Sequence, residues 1–223
     1  MRYDGHPRRI IIDDTPIPDS WQPDRRFEGM AVAIIGSGPS LATFDLDHVK
    51  GHRFIAVNSS GWRMAKIATA NDILYFTDNS WAEKRQDLLD LWPGVVVSGN
   101  RNARIRIGDT VLWLSPRELV EKVWVFPDHA CASSSHIAAT LAAVMGASRI
   151  VLVAMECKEI DGRTHGHDEY RTQDLSVYRD RFLPGWNGLV KVWDKYGVDV
   201  VNATPDSAIE CYRKLPLAYA FTG

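Results

Sequence analysis

Short apolar runs alternate with amphipathic segments along most of the chain. The apolar runs at residues 31–35, 54–57, 73–77, 95–97, 150–155 and 198–201 are rich in valine and isoleucine. They lack the apolar–polar alternation of a strand with one solvent-facing side, so we predict strands that are covered on both faces. This pattern is typical of the parallel strands of an α/β domain.

Helices are predicted between several of these strands, at residues 81–92, 133–144, 182–196 and 207–214. The second helix opens on serines, which favour the N-cap, and Gly146 follows its end, as expected for a C-terminal cap. Alternating strands and helices indicate an α/β, Rossmann-like fold, with a mostly parallel sheet, helices on both faces and three layers. Residues 104–126 are less regular, and we predict a hairpin and a short helix there.

Residues 1–28 follow neither pattern. Pro16, Pro18 and Pro23 argue against a helix, so we predict an extended N-terminal arm with a short edge strand at residues 10–12. Residues 29–223 are long enough for one substantial core. We expect them to form a single Rossmann-like nucleotide-binding domain.

Composition narrows the classes of function. The net charge of -2 does not indicate binding to nucleic acid. Cys131, Cys157 and Cys211 are widely spaced and odd in number, which favours a reducing compartment over a disulfide framework. No apolar run reaches the roughly 18 to 20 residues that a membrane span needs. A cytoplasmic protein is expected, and the sequence leaves a homo-oligomer open.

The first strand runs directly into a bend rich in glycine and serine, in the stretch AVAIIGSGPSL. Ligands of such sheets bind beyond the carboxyl ends of the strands, where this bend is predicted to lie. Glycine lets a ligand approach the backbone, and free amides at a helix start attract anions. A phosphate-contacting loop and a plain turn both fit, because the third glycine of the dinucleotide motif is missing. The candidate binding residues are Gly36, Ser37, Gly38, Pro39 and Ser40.

Polar residues also follow other predicted strands and open one predicted helix. Their side chains can donate and accept hydrogen bonds to a nucleobase, a ribose or a phosphate. The same residue types commonly form turns and caps, so it is their shared edge of the sheet that favours a binding site. These candidates are Asn58, Asp78, Ser133, Ser134, Ser135 and Glu156.

The loop after the strand at residues 150–155 carries His165, His167 and Asp168. Histidine titrates near neutrality, so His165 or His167 could act as a general base or contact the substrate. The same three residues could bind a transition metal, or the loop could be a solvated connection. Asp161 and Gly162 predict a hairpin turn within it. The flanking arginines, which could neutralise a diphosphate or simply face water, are Arg163, Arg171, Arg179 and Arg181.

The order of these motifs resembles a known family. GSGPSL, VNSS and FTDNSW, each after a strand, resemble the MptE-like family, which includes the 6-hydroxymethyl-7,8-dihydropterin diphosphokinases. They are more distantly similar to the bacterial family-42 sialyltransferases, whose pattern contains Gly-Asn-Gly-Pro-Ser-Leu. SSSHIAATLAAVMGASRIVLVAMEC resembles the serine-rich helix and acidic strand end of the family, and DGRTHGHDEY and NATPDSAIECYRKLP resemble the closing loops of phage-type members. The resemblance spans roughly residues 30–216.

The resemblance implies a Rossmann-like domain that binds a nucleotide or nucleotide-sugar. In the sialyltransferases a histidine after the acidic strand end acts as the base, which corresponds to His165 or His167 here. The sequence departs from that pattern at Ser37, where the sialyltransferases have asparagine, and at Glu156, where aspartate is usual. The residues that would hold a cytidine nucleotide correspond to Gly36, Ser37, Gly38, Asn58, Ser133, Ser134 and Ser135.

These observations favour a transferase that moves a glycosyl group from a nucleotide-activated donor, of the CMP-sugar type, to a hydroxyl acceptor. The alternative from the same resemblance is a diphosphokinase that uses ATP and Mg²⁺ on a pterin-like hydroxymethyl substrate, with Asp78 or Glu156 near the ion. A non-catalytic nucleotide-binding module and a metal-dependent hydrolase at His165, His167 and Asp168 stay open. The sequence does not distinguish His165 from His167 as the base.

Overall fold

A computed structural model describes residues 21–100, 102, 111–114, 133–169 and 174–222. The strand predicted at residues 10–12 lies outside the described residues, as do residues 104–110 and 115–126 of the irregular stretch. The boundary predicted between an N-terminal arm and a single domain stays a prediction.

The described residues form one eight-stranded sheet, ordered β5-β4-β3-β2-β1-β6-β7-β8. Every neighbouring pair of strands is parallel, which confirms the predicted Rossmann-like sheet. The strands are β1 (Ala31–Ile35), β2 (Arg53–Val57), β3 (Ile73–Phe76), β4 (Val95–Ser98), β5 (Val111–Trp113), β6 (Arg149–Val153), β7 (Asp199–Asn202) and β8 (Arg213–Lys214).

Helices connect most of these strands. None of the described helices has both the length and the apolar character that crossing a bilayer requires. They are α1 (Ser60–Met64), α2 (Asn79–Glu83), α3 (Gln86–Leu91), α4 (Ser134–Val144), α5 (Leu175–Val177), α6 (Leu183–Tyr196) and α7 (Leu217–Ala220). Short 3-10 helices at Pro39–Ala42 and Leu46–His48 follow β1, and a π-helical turn at Tyr178–Phe182 leads into α6.

The sheet is covered on both faces. Val32 and Ile34 of β1 point into a core formed with α4 and α6, where Trp186 is fully buried. The alternate residues Ala33 and Ile35 point into a second core, which α1, α2, α3 and α7 cover. The unbroken apolar runs of the sequence are therefore explained by burial on both sides, and the predicted three-layer arrangement is confirmed.

Two predicted elements differ in the structure. The helix predicted at residues 81–92 is split into α2 and α3. The helix predicted at residues 207–214 is wrong, because this segment is a loop that ends in β8. Buried side chains bind the backbone of this loop: Asn202 Nδ2 donates to the Ile209 carbonyl (2.9 Å), and the Ile209 amide donates to Ser207 Oγ (3.1 Å). Such bonds compete with the helical hydrogen-bond pattern.

The order of the strands fixes the place of a binding crevice. From β1 the chain proceeds to β2, β3, β4 and β5 on one side, and then returns to place β6 on the other side of β1. The loops after β1 and β6 therefore leave the same edge of the sheet next to each other. In open α/β sheets this switch point is where ligands bind.

Asp72 provides a test of how the sheet is held together. It is 1 % exposed, and its carboxylate accepts from the amides of Phe54 (3.2 Å) and Thr69 (2.7 Å) and from the Thr69 hydroxyl (2.7 Å). We expect Asp72→Ala to lower the free energy of unfolding by roughly 3 kcal/mol, because buried donors lose a charged acceptor. Urea denaturation measures this change. Asp206→Ala, at an exposed aspartate, is the control, and an equal loss in both variants would contradict the assignment.

Candidate functional site

A cavity of about 330 Å³ opens at the carboxyl ends of β1, β2, β3 and β6. It brings together residues that the sequence separates by more than a hundred positions. Of the predicted site residues, it is lined by Gly36, Ser37, Gly38, Asn58, Asp78, Ser133, Ser134, Ser135, Glu156 and His165. Pro39, Ser40 and His167 are not among the lining residues. The functional roles of all these residues stay predictions.

The glycine loop is shaped by the protein's own chain. An added Cβ at Gly36 would collide with the Ala154 carbonyl, and one at Gly38 would collide with Glu156 Oε2. Gly38 has a φ of -67°, so it is not a left-handed conformation that demands glycine. The two glycines are needed because the loop after β6 passes too close for any side chain.

Glu156 occupies the position that the sequence suggested for a phosphate. It is 2 % exposed, and its Oε1 accepts from the Ser40 amide at 2.7 Å. Its Oε2 has no hydrogen-bond partner among the described residues. Pro39 and Ser40 are the first two residues of a 3-10 helix. The helix start that was predicted to attract an anion therefore already binds a carboxylate of the protein.

The start of α4 faces the cavity and remains available for an anion. Ser133 is the N-cap, and its hydroxyl accepts from the His136 amide at 3.3 Å. Ser134 Oγ shares a hydrogen bond of 2.7 Å with Thr77 Oγ1, which attaches the helix to the end of β3. The first amides of an α-helix have no partner within the helix, and they lie at its positive end. The amides of Ser134 and Ser135 can therefore bind a phosphate.

Three residues that line the cavity have backbones in the left-handed region without being glycine. Asn58, Ala154 and Cys157 have φ angles of 52°, 53° and 50°. Asparagine tolerates this region, but alanine and cysteine are strained there, by about 1 kcal/mol or more each. The Asn58 side-chain oxygen is buried and has no hydrogen-bond partner among the described residues. Backbone strain and an unpaired buried polar atom often occur at functional sites, so their presence in one cavity favours a ligand site here.

The carboxylates of the site are largely engaged by the protein. Asp78 caps α2, and its Oδ1 accepts from the Ser80 and Trp81 amides at 2.8 and 3.3 Å. Asp168 is 95 % exposed and pairs with Arg163 at 2.6 Å. Within the described residues, no group of three or more histidine, cysteine, aspartate or glutamate side chains is arranged to hold a metal ion. The metal site considered at His165, His167 and Asp168 is therefore not supported.

The loop that carries the histidines starts with the predicted hairpin. The amides of Ile160 and Arg163 each donate to the other's carbonyl at 2.9 Å, and Asp161 and Gly162 have the positive φ angles of the predicted turn. Further along, the Gly166 amide donates to the Ser37 carbonyl at 2.9 Å. The loop thus returns to the glycine loop, and its residues Thr164 and His165 line the cavity.

The two histidines lie on either side of Gly166, with ring centroids 5.4 Å apart. Burial and the neighbouring His167 lower the pKa of His165 to about 4, and burial also lowers the pKa of His167. Both rings are neutral at pH 7, as a proton acceptor must be. The Glu169 amide donates to His167 Nδ1 at 3.3 Å, which leaves the His167 proton on Nε2.

Aromatic residues that the sequence analysis missed form one wall of the cavity: Tyr178, Phe182 and Trp186. Tyr178 donates to the Thr164 carbonyl (3.4 Å), and burial raises the pKa of its phenol to about 12. The sequence predicted a helix from residue 182 but could not indicate which of its faces meets the site. A third histidine, His136, is fully buried. Its ring packs edge-on against Trp186, and burial lowers its pKa to about 3.

Three solved glycosyltransferase structures share the fold of this protein. The sialyltransferase CstII from Campylobacter jejuni, in complex with the substrate analogue CMP-3FNeuAc, has a TM-score of 0.56 and 14% identity over 86% of this chain and 88% of that chain. The α-2,3-sialyltransferase Cst-I from the same organism has a TM-score of 0.58 and 14% identity over 87% and 82% of the two chains. The MAf glycosyltransferase from Magnetospirillum magneticum AMB-1 has a TM-score of 0.58 and 14% identity, and the match covers 90% of this chain and 35% of that chain.

At this identity the comparisons show a shared fold. CstII and Cst-I are family-42 sialyltransferases, so the distant resemblance seen in the sequence extends to the fold. No protein-family model and no curated protein matches the sequence. The resemblance to the MptE-like family stays a prediction.

The buried position of His165 can be tested by NMR. We expect its imidazole proton resonances to titrate with a midpoint near pH 4. The unfolded chain takes up this proton near pH 6.5, so the contribution of His165 to stability is complete above that pH and is lost as the pH falls towards 4. His165→Gln identifies the resonance. A midpoint of 6 or higher would show that the ring is solvated and not held against the cavity.

Proposed function

We propose that this protein is a glycosyltransferase that takes its donor as a nucleotide-sugar of the CMP-sugar type. The observation that carries the proposal is one cavity lined by both the α4 N-terminus and a neutral histidine, at the switch point of a Rossmann-like sheet. The shared fold with the sialyltransferases supports it, since CstII has been solved with a CMP-sugar analogue and with CMP and a trisaccharide acceptor.

The charge of the cavity favours a nucleoside monophosphate ester over a di- or triphosphate. Among the described lining residues, Asp78 and Glu156 are acidic and none is a lysine or arginine. Arg163 and Arg179, which could have neutralised a diphosphate, pair with the neighbouring acids Asp168 and Asp180. A helix N-terminus is equivalent to roughly half a positive charge, which suits the single charge of a phosphodiester.

In this assignment the nucleoside lies between Asn58 and Thr77, and the phosphate lies at the amides of Ser134 and Ser135. The unpaired Asn58 oxygen would accept a hydrogen bond from the nucleoside. The acceptor's hydroxyl oxygen forms a bond to the anomeric carbon, while the bond between that carbon and the phosphate oxygen breaks. The nucleoside monophosphate leaves with a second negative charge, which the helix amides stabilise as it develops.

His165 is the better candidate for the base because it lines the cavity, whereas His167 does not. His165 takes the proton of the acceptor hydroxyl as the new bond forms. Its low pKa in the ligand-free protein makes it a weak base, but a bound phosphate would raise that pKa, because a nearby negative charge favours the imidazolium. Donor binding would therefore activate the base.

Nucleotide binding is the first test of the proposal. We expect CMP at 100 times its Kd to raise the melting temperature by roughly 5–10 °C, since this corresponds to about 2.7 kcal/mol. Cytidine is the matched control for the phosphate and should give a clearly smaller rise. UDP, GDP and ATP with Mg²⁺ should also give smaller rises. A larger rise with ATP and Mg²⁺ than with CMP would instead favour the diphosphokinase.

Turnover of the donor tests the base. We expect His165→Gln to reduce the release of CMP from a CMP-sugar, in the presence of hydroxyl acceptors, by roughly 10²- to 10⁴-fold while the variant still binds CMP. His48→Gln, at an exposed histidine away from the cavity, is the control and should turn over normally. Normal turnover by His165→Gln would refute the assigned base.

A further inference from the structure

We propose that Glu169 is a positioning residue, which fixes the orientation of His167 and of the neighbouring His165 by anchoring the end of their loop. The inference rests on the proposed glycosyl transfer for its catalytic consequence, and on contacts within the protein for the anchor itself. We name the segment of residues 160–169 the histidine loop.

The middle of the histidine loop is attached to the glycine loop. Besides the Gly166 hydrogen bond to Ser37, an added Cβ at Gly166 would lie 2.7 Å from the Gly38 carbonyl and 2.9 Å from Leu41 Cβ. This contact and the hydrogen bond from Tyr178 to the Thr164 carbonyl hold the loop only up to Gly166. The segment that follows Gly166 needs a second attachment if His167 is to keep one orientation.

Glu169 makes that second attachment through polar residues on the side of the sheet that α1, α2 and α3 cover. Glu169 Oε2 accepts from the Ser59 hydroxyl and from Trp81 Nε1 (3.3 Å), and Oε1 pairs with Arg85 Nε (3.2 Å). Trp81 Nε1 also donates to Ser59 Oγ at 2.8 Å. The Glu169 carboxylate therefore binds Ser59 before α1, Trp81 in α2 and Arg85 before α3.

The binding site for this carboxylate is built into the core. Ser59 and Trp81 are 2 % and 4 % exposed, so their polar atoms have little access to water. Burial raises the pKa of Glu169, but the hydrogen bond from Ser59 and the ion pair with Arg85 outweigh burial, and the pKa is lowered overall. The ionised carboxylate is thus the form that fits. A buried indole N–H and hydroxyl aimed at one charged group are expensive to leave unpaired.

The anchor acts directly on a histidine. The Glu169 amide donates to His167 Nδ1, which fixes the tautomer of that ring, and His167 packs against His165. Release of Glu169 would free the His167 ring and expose His165 to water. The adjacent Asp168 is 95 % exposed and binds only Arg163 among the described residues, so it offers a matched control on the same loop.

The anchor itself can be tested without any substrate. In Glu169→Ala we expect amide hydrogen exchange across residues 160–169 to rise at least tenfold, and the NMR titration midpoint of His165 to move from near pH 4 towards 6.5. Asp168→Ala should leave both unchanged. If Glu169→Ala leaves both unchanged as well, the anchor is refuted, whatever reaction the protein catalyses.

The positioning role is tested with CMP-sugar turnover. A displacement of the base by about 1 Å can cost on the order of 100-fold, so we expect Glu169→Ala to lower kcat by that factor with KM for the donor little changed. In a His165→Gln background the same substitution should have no further effect, because Glu169 acts through the histidine. Additive losses, or a loss confined to KM, would refute positioning.

A second pair of variants, with milder changes, tests the anchor if Glu169→Ala does not fold. Glu169→Gln keeps the shape of the side chain and one acceptor oxygen, and Arg85→Met removes the positive charge that pairs with Glu169. Both should give smaller changes in the same direction as Glu169→Ala. If the wild type turns over no nucleotide-sugar, the proposed function fails, while hydrogen exchange and the His165 titration still decide the anchor.

Discussion

The chain leaving β1 and the chain leaving β6 run so close together that no side chain fits between them, and the cavity depends on this contact. The Gly36 amide donates to the Val153 carbonyl (2.8 Å) and the Gly38 amide to the Ala154 carbonyl (2.9 Å), so the pairing of the two strands continues past their ends. In most sheets of this type the loops separate at the switch point. Here they separate only after Glu156 has bound the Ser40 amide. Glu156 thereby closes the crevice beside the 3-10 helix, while the N-terminus of α4 lines the cavity.

This closure also fixes the polarity of the site. The buried Glu156 side chain binds the glycine loop, and the positive end of α4 lines the same cavity. In the proposed assignment the phosphate therefore lies at α4 and not at the glycine loop. Of its lining residues Gly36, Ser37 and Gly38, only Ser37 carries a side chain, and in the proposed assignment the neutral sugar or ribose lies against this loop. A motif that suggests a phosphate loop in the sequence can therefore serve the uncharged part of the ligand.

The sequence predicts the sheet well because valine- and isoleucine-rich runs have few other solutions, and the rule that ligands bind at strand ends locates Asn58, Ser133 and His165. It does not predict the Ser40–Glu156 contact, because those residues are 116 positions apart and no local pattern links them. Trp186 was missed as a wall residue for a related reason: α6 has one buried apolar face, with Trp186, Leu189 and Trp193, and no local pattern indicates which part of that face meets the cavity. The segment at residues 207–214 was misjudged because its helical pattern is overridden by buried polar side chains that bind its backbone.

The histidine loop contacts both the glycine loop and the polar residues around Ser59. Its attachment at Gly166 is a backbone contact that exists because Gly166 lacks a side chain, whereas its attachment at Glu169 is a charged contact that depends on Ser59, Trp81 and Arg85. The first lies before His167 in the chain and the second lies after it. We therefore propose that the orientation of His167, and of His165 packed against it, depends on both. In the proposed assignment, the base is oriented by Ser59, Trp81 and Arg85, which do not line the cavity, and by the glycine loop, which does.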